Sequence, residues 1–469
     1  MRLPFCSTFI AAVAAVLIAT ACTKATSPDL SGDPPVRGAR QRGNASYLAT
    51  SMSEHFPRAS RTARGWDEER LWSQHVDWEP VVAVDPFSAD VYQLTTRYYA
   101  PQCRGCPDPA IVFRHSRDGG ATWEEDRYLS RQGEWQVDPQ IAVAVDGTIF
   151  AAYLQDWQIV FVRSVDRGIS WTDPLQIPRK GSPSWGDKPI LAISPNGRDV
   201  YVAFNSSDSF VAVSHNSGRR FSAPIQTNND QRYWLHTDGA VALNGTVYFT
   251  AADFRQDLGG SANIQVLRST DDGASWTVQQ VDTSAEAPSC SWWAKGCYLG
   301  FFGPSPALAI DSSGQLLLAY NAGRADGDPQ RIWVRSSEDG INWSPRRRRS
   351  RSSRSINNAF PAVEAGPFPG DFRLVWQDDR KTKKRRQDNS RKRWNTWYRR
   401  TQDGGATWSR AIRLSDQRAL ESYKRSRGYA FPFGDYLWLA VDRNGTNHVI
   451  WGEGESNEGN GGTWFTRGQ

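Results

Sequence analysis

Charged residues that could bind or cleave a sugar recur just outside short apolar runs of this sequence. Four precede such a run, namely Asp138, Asp187, Asp238 and Asp435, and eight follow one, namely Arg97, Asp156, Asp253, Arg255, Arg324, Asp379, Arg380 and Glu453. An arginine can donate two hydrogen bonds to one carboxylate, and a carboxyl beside an apolar wall can act as a general acid. If the runs converge, these residues form a mixed charged funnel suited to an anionic sugar. The alternative is that they cap strand ends and pair with one another.

A repeated pattern identifies the elements that must position these residues. Its first copy consists of Ser116, Asp118, Gly120, Thr122 and Trp123. The other copies begin at Ser164, Ser214, Ser269, Ser336 and Thr401, and the fifth uses Ser336, Glu338, Gly340, Asn342 and Trp343. A short carboxylate accepts hydrogen bonds from turn amides, glycine adopts the backbone that the turn needs, and tryptophan packs beneath it. Each copy therefore predicts a stapled β-hairpin.

Two further apolar runs precede each copy, so each repeat predicts four strands. Seven such pairs of runs begin near Pro80, Pro139, Pro189, Gly239, Pro306, Pro361 and Asp435. Many Trp (21), Gly (39) and Pro (26) also favour short strands joined by tight turns. We predict an all-β fold, a β-propeller with four-stranded antiparallel blades, and prefer seven blades to six. The seventh repeat lacks its last strand, which an N-terminal strand from residues 43–74 would supply to close the ring.

The six copies resemble the Asp box, or BNR repeat, of the sialidase (neuraminidase) superfamily, and the resemblance covers residues 76–467. It implies that the box residues are structural and that chemistry takes place on the opposite face of the propeller. Six blades remain the alternative because sialidases of this family have six. The resemblance also implies three arginines that clamp the substrate carboxylate, an aspartate acid/base, and a tyrosine nucleophile assisted by a glutamate.

Individual residues of this sequence can be matched to those roles by position. The candidates for substrate binding are Arg97, Arg255 and Arg324 as the clamp, with Asp253 and Arg380 beside them. The candidates for catalysis are Asp187, and Tyr436 with Glu453 as the nucleophile pair. The F/Y-R-I-P motif that holds the first arginine of the family is absent. The resemblance is therefore specific for the fold and weak for the activity.

The sequence predicts an exported propeller that acts on acidic glycans, as an exo-type glycoside hydrolase of the sialidase kind. Two other functions stay open: a non-catalytic propeller that binds a glycan or a protein, and a polysaccharide lyase on the same scaffold. Arginines and aspartates that pair with one another would favour the non-catalytic protein. A lyase needs a Tyr or His base beside a carboxylate neutraliser, and His236 is the candidate base. We expect no cofactor and no metal ion, because the family's sialidases need no metal for their chemistry.

The first residues indicate export. Arg2 is followed by an apolar run over residues 9–18 and by small residues that lead to Cys22. This order is typical of a signal peptide, here residues 1–21, and Cys22 resembles the acylated cysteine of a bacterial lipobox. Residues 22–45 predict a flexible tether and residues 46–469 the propeller. We expect a membrane-anchored lipoprotein at the cell surface or in the periplasm, and a plain secretory signal is the alternative.

Four more cysteines form two local pairs, Cys103 with Cys106 and Cys290 with Cys297. In an oxidising compartment two local disulfides are expected. A zinc site formed by all four thiolates is the alternative, because the spacing of the first pair is one half of such a site.

Two segments are strongly basic. Residues 346–354 hold six arginines, and residues 380–393 hold nine Lys or Arg with one Asp. The whole chain has a net charge of only +6, so the remainder is acidic. The topology predicts that both runs lie in loops on the face opposite the Asp boxes, which we call the working face, on either side of blade six. There they would attract a polyanion such as an acidic or sulfated polysaccharide. Solvated insertions are the alternative, and nucleic acid is the least expected partner because no aromatic residues interleave the runs. The sequence does not predict an oligomeric state.

Overall fold

Seven four-stranded antiparallel sheets make up the described part of the chain. The computed structural model describes residues 62–71, 76–98, 105–178, 183–289, 300–351, 353, 355–380, 395–415, 437–454 and 461–469. The signal peptide, Cys22, the tether, Cys103, Cys290, Cys297 and Tyr436 lie outside these ranges, as does the side chain of Glu453. The predicted all-β propeller with seven blades is confirmed, and every element within these ranges is a strand.

The strands of the first three blades follow the chain in order, after a short strand that belongs to the last blade. That short strand is β1 (Arg70–Leu71). Blade one consists of β2 (Val76–Val84), β3 (Val91–Tyr98), β4 (Ala110–Ser116) and β5 (Arg127–Tyr128). Blade two consists of β6 (Gln136–Val143), β7 (Ile149–Gln155), β8 (Gln158–Ser164) and β9 (Leu175–Ile177). Blade three consists of β10 (Asp187–Ile193), β11 (Val200–Ser206), β12 (Asp208–Ser214) and β13 (Ile225–Gln226).

The later blades repeat this order until the ring closes. Blade four consists of β14 (Tyr233–Val241), β15 (Val247–Phe254), β16 (Ala262–Ser269) and β17 (Thr277–Ser284). Blade five consists of β18 (Ala307–Ile310), β19 (Leu316–Ala322), β20 (Arg331–Ser337) and β21 (Arg347–Arg348). Blade six consists of β22 (Asn358–Ala365), β23 (Phe372–Asp378), β24 (Asn395–Thr401) and β25 (Ile412–Arg413). Blade seven consists of β26 (Trp438–Val441), β27 (Asn447–Gly454), β28 (Gly461–Gly468) and β1.

The hydrophobic core lies between neighbouring blades. In β15, Val247 and Phe249 pack on Val213 of blade three, whereas Tyr248 packs on Leu316 of blade five. Side chains alternate across a strand, so each sheet presents one apolar face to each neighbour. Buried clusters of this kind occupy all seven seams of the ring.

The Asp boxes join the third and fourth strands of blades one to six, as predicted. In the first box Ser116 Oγ donates to Asp118 Oδ1 (2.8 Å) and accepts from Gly120 N (2.8 Å). Asp118 Oδ1 also accepts from Thr122 N at 2.8 Å. The box tryptophan packs on the blade before it, as with Trp171 and Phe113, whose ring centroids are 5.4 Å apart. Each box therefore closes its own hairpin and seals one seam.

The fifth box differs from the prediction by one residue. Ser337 Oγ donates to Asp339 Oδ1 (3.1 Å), and Asp339 Oδ1 accepts from Asn342 N (2.7 Å). The predicted Ser336 bonds to Ser344 instead, and the predicted Glu338 is exposed. This copy has one residue fewer between its serine and its glycine, so the serine and the carboxylate both move one place along the chain.

The innermost strands carry a shared irregularity. The pairing of the first and second strands shifts register in blades one, two, three, four and six. In four of these blades the residue at the shift has a positive φ and precedes a proline, namely Glu79 (φ 52°), Asp138 (φ 54°), Lys188 (φ 48°) and Phe360 (φ 52°). Proline is tolerated here because the first strand is the edge strand of its sheet. A bulge redirects the side chain that it carries, and these bulges lie around the axis of the ring.

An N-terminal strand closes the last blade, as predicted. Strand β1 pairs with β28, with Arg70 opposite Phe465 and Leu71 opposite Trp464. Arg467 Nε donates to Asp67 Oδ2 at 2.7 Å and reaches the first Asp box through Gly119 O at 2.6 Å. The ring is therefore closed by residues that lie far apart in the sequence. Searched over the described ranges, the fold contains no apolar helix of membrane-spanning length.

Candidate functional site

The first strands of the seven blades surround a central channel of about 400 Å³. Next to it, on the face opposite the Asp boxes, lies a cavity of about 70 Å³ that we call the mouth pocket. Its polar lining is Asp138, Gln140, Lys188, His236, Thr237 and Ser305, and its apolar lining includes Phe254, Phe301, Phe360 and Trp438. The two spaces adjoin, because Thr237, Ser305, Phe360 and Trp438 line both.

Charged side chains of blades two and three form one side of the mouth pocket, and Glu79 of blade one lies outside the lining but bonds to the backbone of blade two. Glu79 Oε2 accepts hydrogen bonds from Thr96 Oγ1 (2.8 Å) and from the backbone N of Asp138 (3.0 Å). Lys188 Nζ donates to Asp138 Oδ1 at 2.7 Å, and both side chains are largely buried. These three residues are the bulge residues of their blades, so the bulges link them into one polar arc.

Asp187, the predicted catalytic aspartate, lies at the start of β10 beside this arc. It is buried, and its Oδ1 accepts a hydrogen bond from Lys188 N at 2.9 Å. Burial and then the negative charge of Asp187 raise the pKa of Tyr233, so this tyrosine stays protonated at physiological pH. Asp187 is thus near the mouth pocket without being part of its lining.

His236 lies inside β14 and lines the mouth pocket. Its Nε2 is 2.8 Å from Ser209 Oγ, and its Nδ1 has no hydrogen-bond partner among the described residues. Burial lowers the pKa of His236 to about 3, so the imidazole is neutral at physiological pH. A base with so low a pKa is poorly matched to proton abstraction at neutral pH.

Aromatic side chains form the other side of the mouth pocket. Phe360 of blade six and Trp438 of blade seven lie beside Phe301, which precedes blade five. Phe301 and Phe360 meet edge to face, with ring centroids 5.7 Å apart. The mouth is therefore charged on the side of blades two and three and aromatic on the side of blades four to seven.

Two carboxyls line the channel below the mouth. Asp238 accepts hydrogen bonds from Leu308 N (2.9 Å) and Gly239 N (2.8 Å), and Glu364 accepts one from Ala365 N (3.0 Å). Burial raises the pKa of Asp238 to about 7. Burial, and then the charge of Asp238, raises the pKa of Glu364 to about 8. Both groups therefore hold a proton over part of the neutral range.

Arg97 is fully engaged with carboxylates. Its Nε and Nη2 donate to the two oxygens of Asp77 at 2.8 Å each, and its Nη1 donates to Asp126 at 2.5 Å. Its side chain is only 4% exposed. Desolvation opposes the charge, but the two carboxylates outweigh it and raise the pKa of Arg97.

The other predicted binding residues also lie away from the mouth pocket. Asp253 is buried and accepts hydrogen bonds from Arg232, Asn263 and Gln265. Arg255 pairs with Asp257 on the surface. Arg380 pairs with Asp378 at 2.8 Å and stacks on Trp397 at 3.7 Å, and Arg324 lies 5.4 Å above Trp333. Of the predicted pair Tyr436 and Glu453, only the backbone of Glu453 is described, in β27.

The cysteines and basic runs are only partly described. Cys106 is disulfide-bonded, and its partner lies outside the described residues. The first basic run is not in a loop of the working face: Arg347 and Arg348 form β21, the outer strand of blade five. Of the second run, only Arg380 lies within the described ranges. Across those ranges no three His, Cys, Asp or Glu side chains are grouped so that they could hold a metal ion.

Sequence reasoning missed Lys188, Glu364, Phe360 and Trp438. Lys188 stands between a predicted site residue and a strand-opening proline, which was a usable signal. Glu364 was the one charged residue in the apolar run of residues 359–365. The aromatic residues gave no such signal, because aromatic residues are expected in any strand.

In fold the chain is a seven-bladed propeller with Asp-box turns. No protein-family model matches it, and no curated protein matches it. The Hadza microbial sialidase Hz136 is similar in structure with a TM-score of 0.42 and 15% identity, over 84% of this chain and 66% of that one. A protein of unknown function from Dyadobacter fermentans is similar with a TM-score of 0.49 and 14% identity, over 86% of this chain and 99% of that one. An ulvan lyase bound to GlcA(1-4)Rha3S is similar with a TM-score of 0.47 and 12% identity, over 84% of this chain and 94% of that one.

Proposed function

We propose that this protein binds a glycan at the mouth pocket without cleaving it, as an exported lipoprotein at the cell surface or in the periplasm. The observation that carries the proposal is the two-sided mouth pocket. One side presents the polar arc of Asp138 and Lys188, and the other presents Phe360 and Trp438.

A sugar ring suits such a pocket because it has polar edges and apolar faces. Its hydroxyl groups can hydrogen-bond to the arc while one face packs on the aromatic rings. Sites for small molecules are mostly apolar, with a few polar groups that fix the orientation. The pocket's volume of about 70 Å³ suits a substituent of the ring, with the ring itself at the opening.

Binding is favoured over hydrolysis by the state of the arginines. Arg97, Arg255 and Arg380 each pair with a carboxylate, which is the arrangement expected of a non-catalytic propeller. Among the described residues Lys188 is the one cation in the pocket lining, and Asp138 and Asp187 lie beside it. We therefore assign the recognition of hydroxyl groups to the mouth, and expect acidic groups of the glycan to contact basic residues elsewhere.

A glycan array probed with the purified protein tests this proposal, with sialylated, uronic-acid, sulfated and neutral glycans. We expect Trp438→Leu to weaken binding to any hit by about tenfold or more, since a buried aromatic contact contributes more than about 1 kcal/mol. The matched control is Trp123→Leu, which alters a box tryptophan on the opposite face. Equal losses in the two folded variants would place the glycan elsewhere.

Hydrolysis is the second candidate, and one observation favours it. Glu364 holds a proton near neutral pH, as a general acid must. Fluorogenic sialosides, glucuronides and neutral glycosides provide the assay. Turnover that is lost in Glu364→Gln would establish an enzyme, and no turnover across the panel would leave the binding protein.

A further inference from the structure

The first basic run lies on the rim of the ring, and its side chains alternate between two seams. Arg346 points towards blade four, where its Nη1 is 3.2 Å from Asp282, and its guanidinium lies 4.7 Å from the ring of Trp333 in blade five. Arg349 points towards blade six, where its Nη2 donates to Gly405 O at 3.0 Å and it stacks 5.3 Å from Trp408. This alternation is the ordinary period of a β-strand.

A cavity of about 230 Å³ lies in the seam between blades five and six. We call it the seam cavity. Blade six contributes residues 403–406 of the last Asp box to its lining, and the polar residues that blade five contributes are Gln315, Arg335, Ser336, Ser344, Arg347 and Arg349. Arg348, the neighbour of Arg347, does not line it. A single water occupies about 30 Å³ in the liquid, so the cavity has room for an ion with some of its hydration shell.

Three cations at this seam have no counter-ion in the described part of the protein, whereas Arg335, which also lines the cavity, pairs with Asp282 at 3.3 Å. Arg347, Arg349 and Arg399 form no ion pair there, in contrast to Arg346. The Nε atoms of Arg349 and Arg399 are buried and have no hydrogen-bond partner among the described residues. Burial, and then the charges of Arg347 and Arg399, lowers the pKa of Arg349 to about 10.

Asp403 is the one carboxylate among the described lining residues, and its charge only partly offsets the burial and the neighbouring arginines that lower the pKa of Arg349. Asp403 accepts hydrogen bonds from Thr401 Oγ1 (2.7 Å) and from Thr407 N (2.8 Å) and Oγ1 (2.5 Å), as the box requires. Leaving the partly buried cation of Arg349 unpaired costs free energy, and an anion in the seam cavity would recover it. Guanidinium groups match the oxygens of sulfate and phosphate with paired hydrogen bonds.

We propose that the seam cavity binds a tetrahedral oxyanion, a sulfate or phosphate ester carried by a polysaccharide, through Arg347 and Arg349. The site lies on the rim and does not depend on the mouth pocket. It gives the acidic groups of a glycan a defined place on the molecule, separate from the hydroxyl recognition proposed for the mouth.

The test compares two neighbouring arginines of equal charge and similar exposure. Arg347 and Arg348 are both exposed, and only Arg347 lines the seam cavity. Binding of dextran sulfate and of dextran phosphate to the purified protein is measured by calorimetry, with neutral dextran as the blank. We expect Arg347→Gln to raise the Kd about tenfold, the effect of one charge-assisted hydrogen bond, and Arg348→Gln to raise it less than twofold.

Each outcome has a defined meaning. Equal effects of the two substitutions would show a diffuse basic patch and overturn the proposal, as would no effect of either. Competition by inorganic sulfate or by inorganic phosphate, compared at equal ionic strength, identifies which ester the site prefers. Retention of dextran sulfate binding in Trp438→Leu separates this site from the mouth pocket.

Discussion

Arg97 makes three charge-assisted hydrogen bonds, two to Asp77 and one to Asp126, and is almost completely buried. Its partners lie 20 and 29 residues away in the sequence. At the scale of single residues, Arg255 and Arg380 are likewise each paired with a carboxylate. These arginines hold loops and strand ends in place, so their substitution should affect stability before it affects binding.

Arg97→Gln should lower the free energy of unfolding by about 3–5 kcal/mol, because it leaves the buried carboxylate of Asp77 without its bidentate partner, while Asp126 keeps Arg114. Denaturant unfolding followed by tryptophan fluorescence measures this. Arg324→Gln is the control and should change stability by less than about 0.5 kcal/mol, since that arginine is exposed. If Arg97→Gln lost glycan binding while its unfolding midpoint stayed unchanged, Arg97 would be a ligand clamp, as predicted from the sequence.

The carboxyl of Glu364 should make stability fall as pH rises. Its pKa is about 8 in the folded protein against an ordinary value of 4.5, so the folded state binds this proton more tightly than the unfolded state does. The resulting stabilisation is complete below about pH 4.5 and is lost as pH rises to about 8. We expect Glu364→Gln to reduce the fall in Tm between pH 6 and pH 9. The exposed Glu338→Gln should leave that profile unchanged, and an identical profile in Glu364→Gln would contradict the assignment.

At the scale of elements, the Asp box is both a turn and a seal. The second box brings Gly168 against Phe113 of the preceding blade: a Cβ on this glycine would lie 2.4 Å from that ring. Gly245, in the turn between β14 and β15, also has a positive φ, but a Cβ there would meet nothing within 4 Å. A substitution at Gly245 therefore tests backbone strain alone, whereas one at Gly168 adds the close approach of two blades to the same strain.

Gly245→Ala should therefore cost about 1–2 kcal/mol, the penalty for a left-handed alanine. Gly168→Ala should cost roughly 1–3 kcal/mol more, because the seam is already closely packed. Chemical denaturation of the two variants measures the difference. Equal losses would mean that the box shapes only its own hairpin and does not seal the seam.

The strands and turns could be predicted from the sequence more fully than the contacts between blades. Box spacing and paired apolar runs predicted the blades, because each box depends on residues within eight positions of one another. The fifth box was predicted one residue too early in the sequence. Ser336 and Ser337 both precede Gly340 and Trp343, and only the hydrogen bond from Gly340 N to Ser337 Oγ shows which serine belongs to the box. The partners of Arg97 and the shared pocket of Lys188 with Trp438 could not be read, because contacts between distant blades leave no local pattern.

At the scale of the whole molecule, stability depends on closing the ring. Each blade buries its two faces against its neighbours, and blade seven obtains its outer strand from β1. Trp66 adds to this closure, since it pairs with Gly468 and packs edge to face on Tyr398 at 4.9 Å. An open ring would expose one edge strand and the seam beside it.

Two truncations test how much the closure contributes. A chain that begins at Thr62 keeps β1 and Trp66, whereas a chain that begins at Val76 lacks both. We expect the shorter chain to unfold at a clearly lower temperature, because loss of the tryptophan contact alone costs about 3–5 kcal/mol. Calorimetry of the two purified chains provides the comparison. Similar unfolding temperatures would show that three strands suffice for blade seven.

The closure also sets the order in which the ring can be completed as the chain is delivered from its N-terminus, on export or during synthesis. Blades one to six can stack one after another as they emerge, since each contacts only its neighbours. In blade one, however, Val82 and Val91 pack on Ala440, Ile450 and Phe465, which emerge last. Until then the face of blade one that meets blade seven stays uncovered. The rate of delivery therefore determines how long an unfinished chain offers this apolar surface to chaperones or to another unfinished copy.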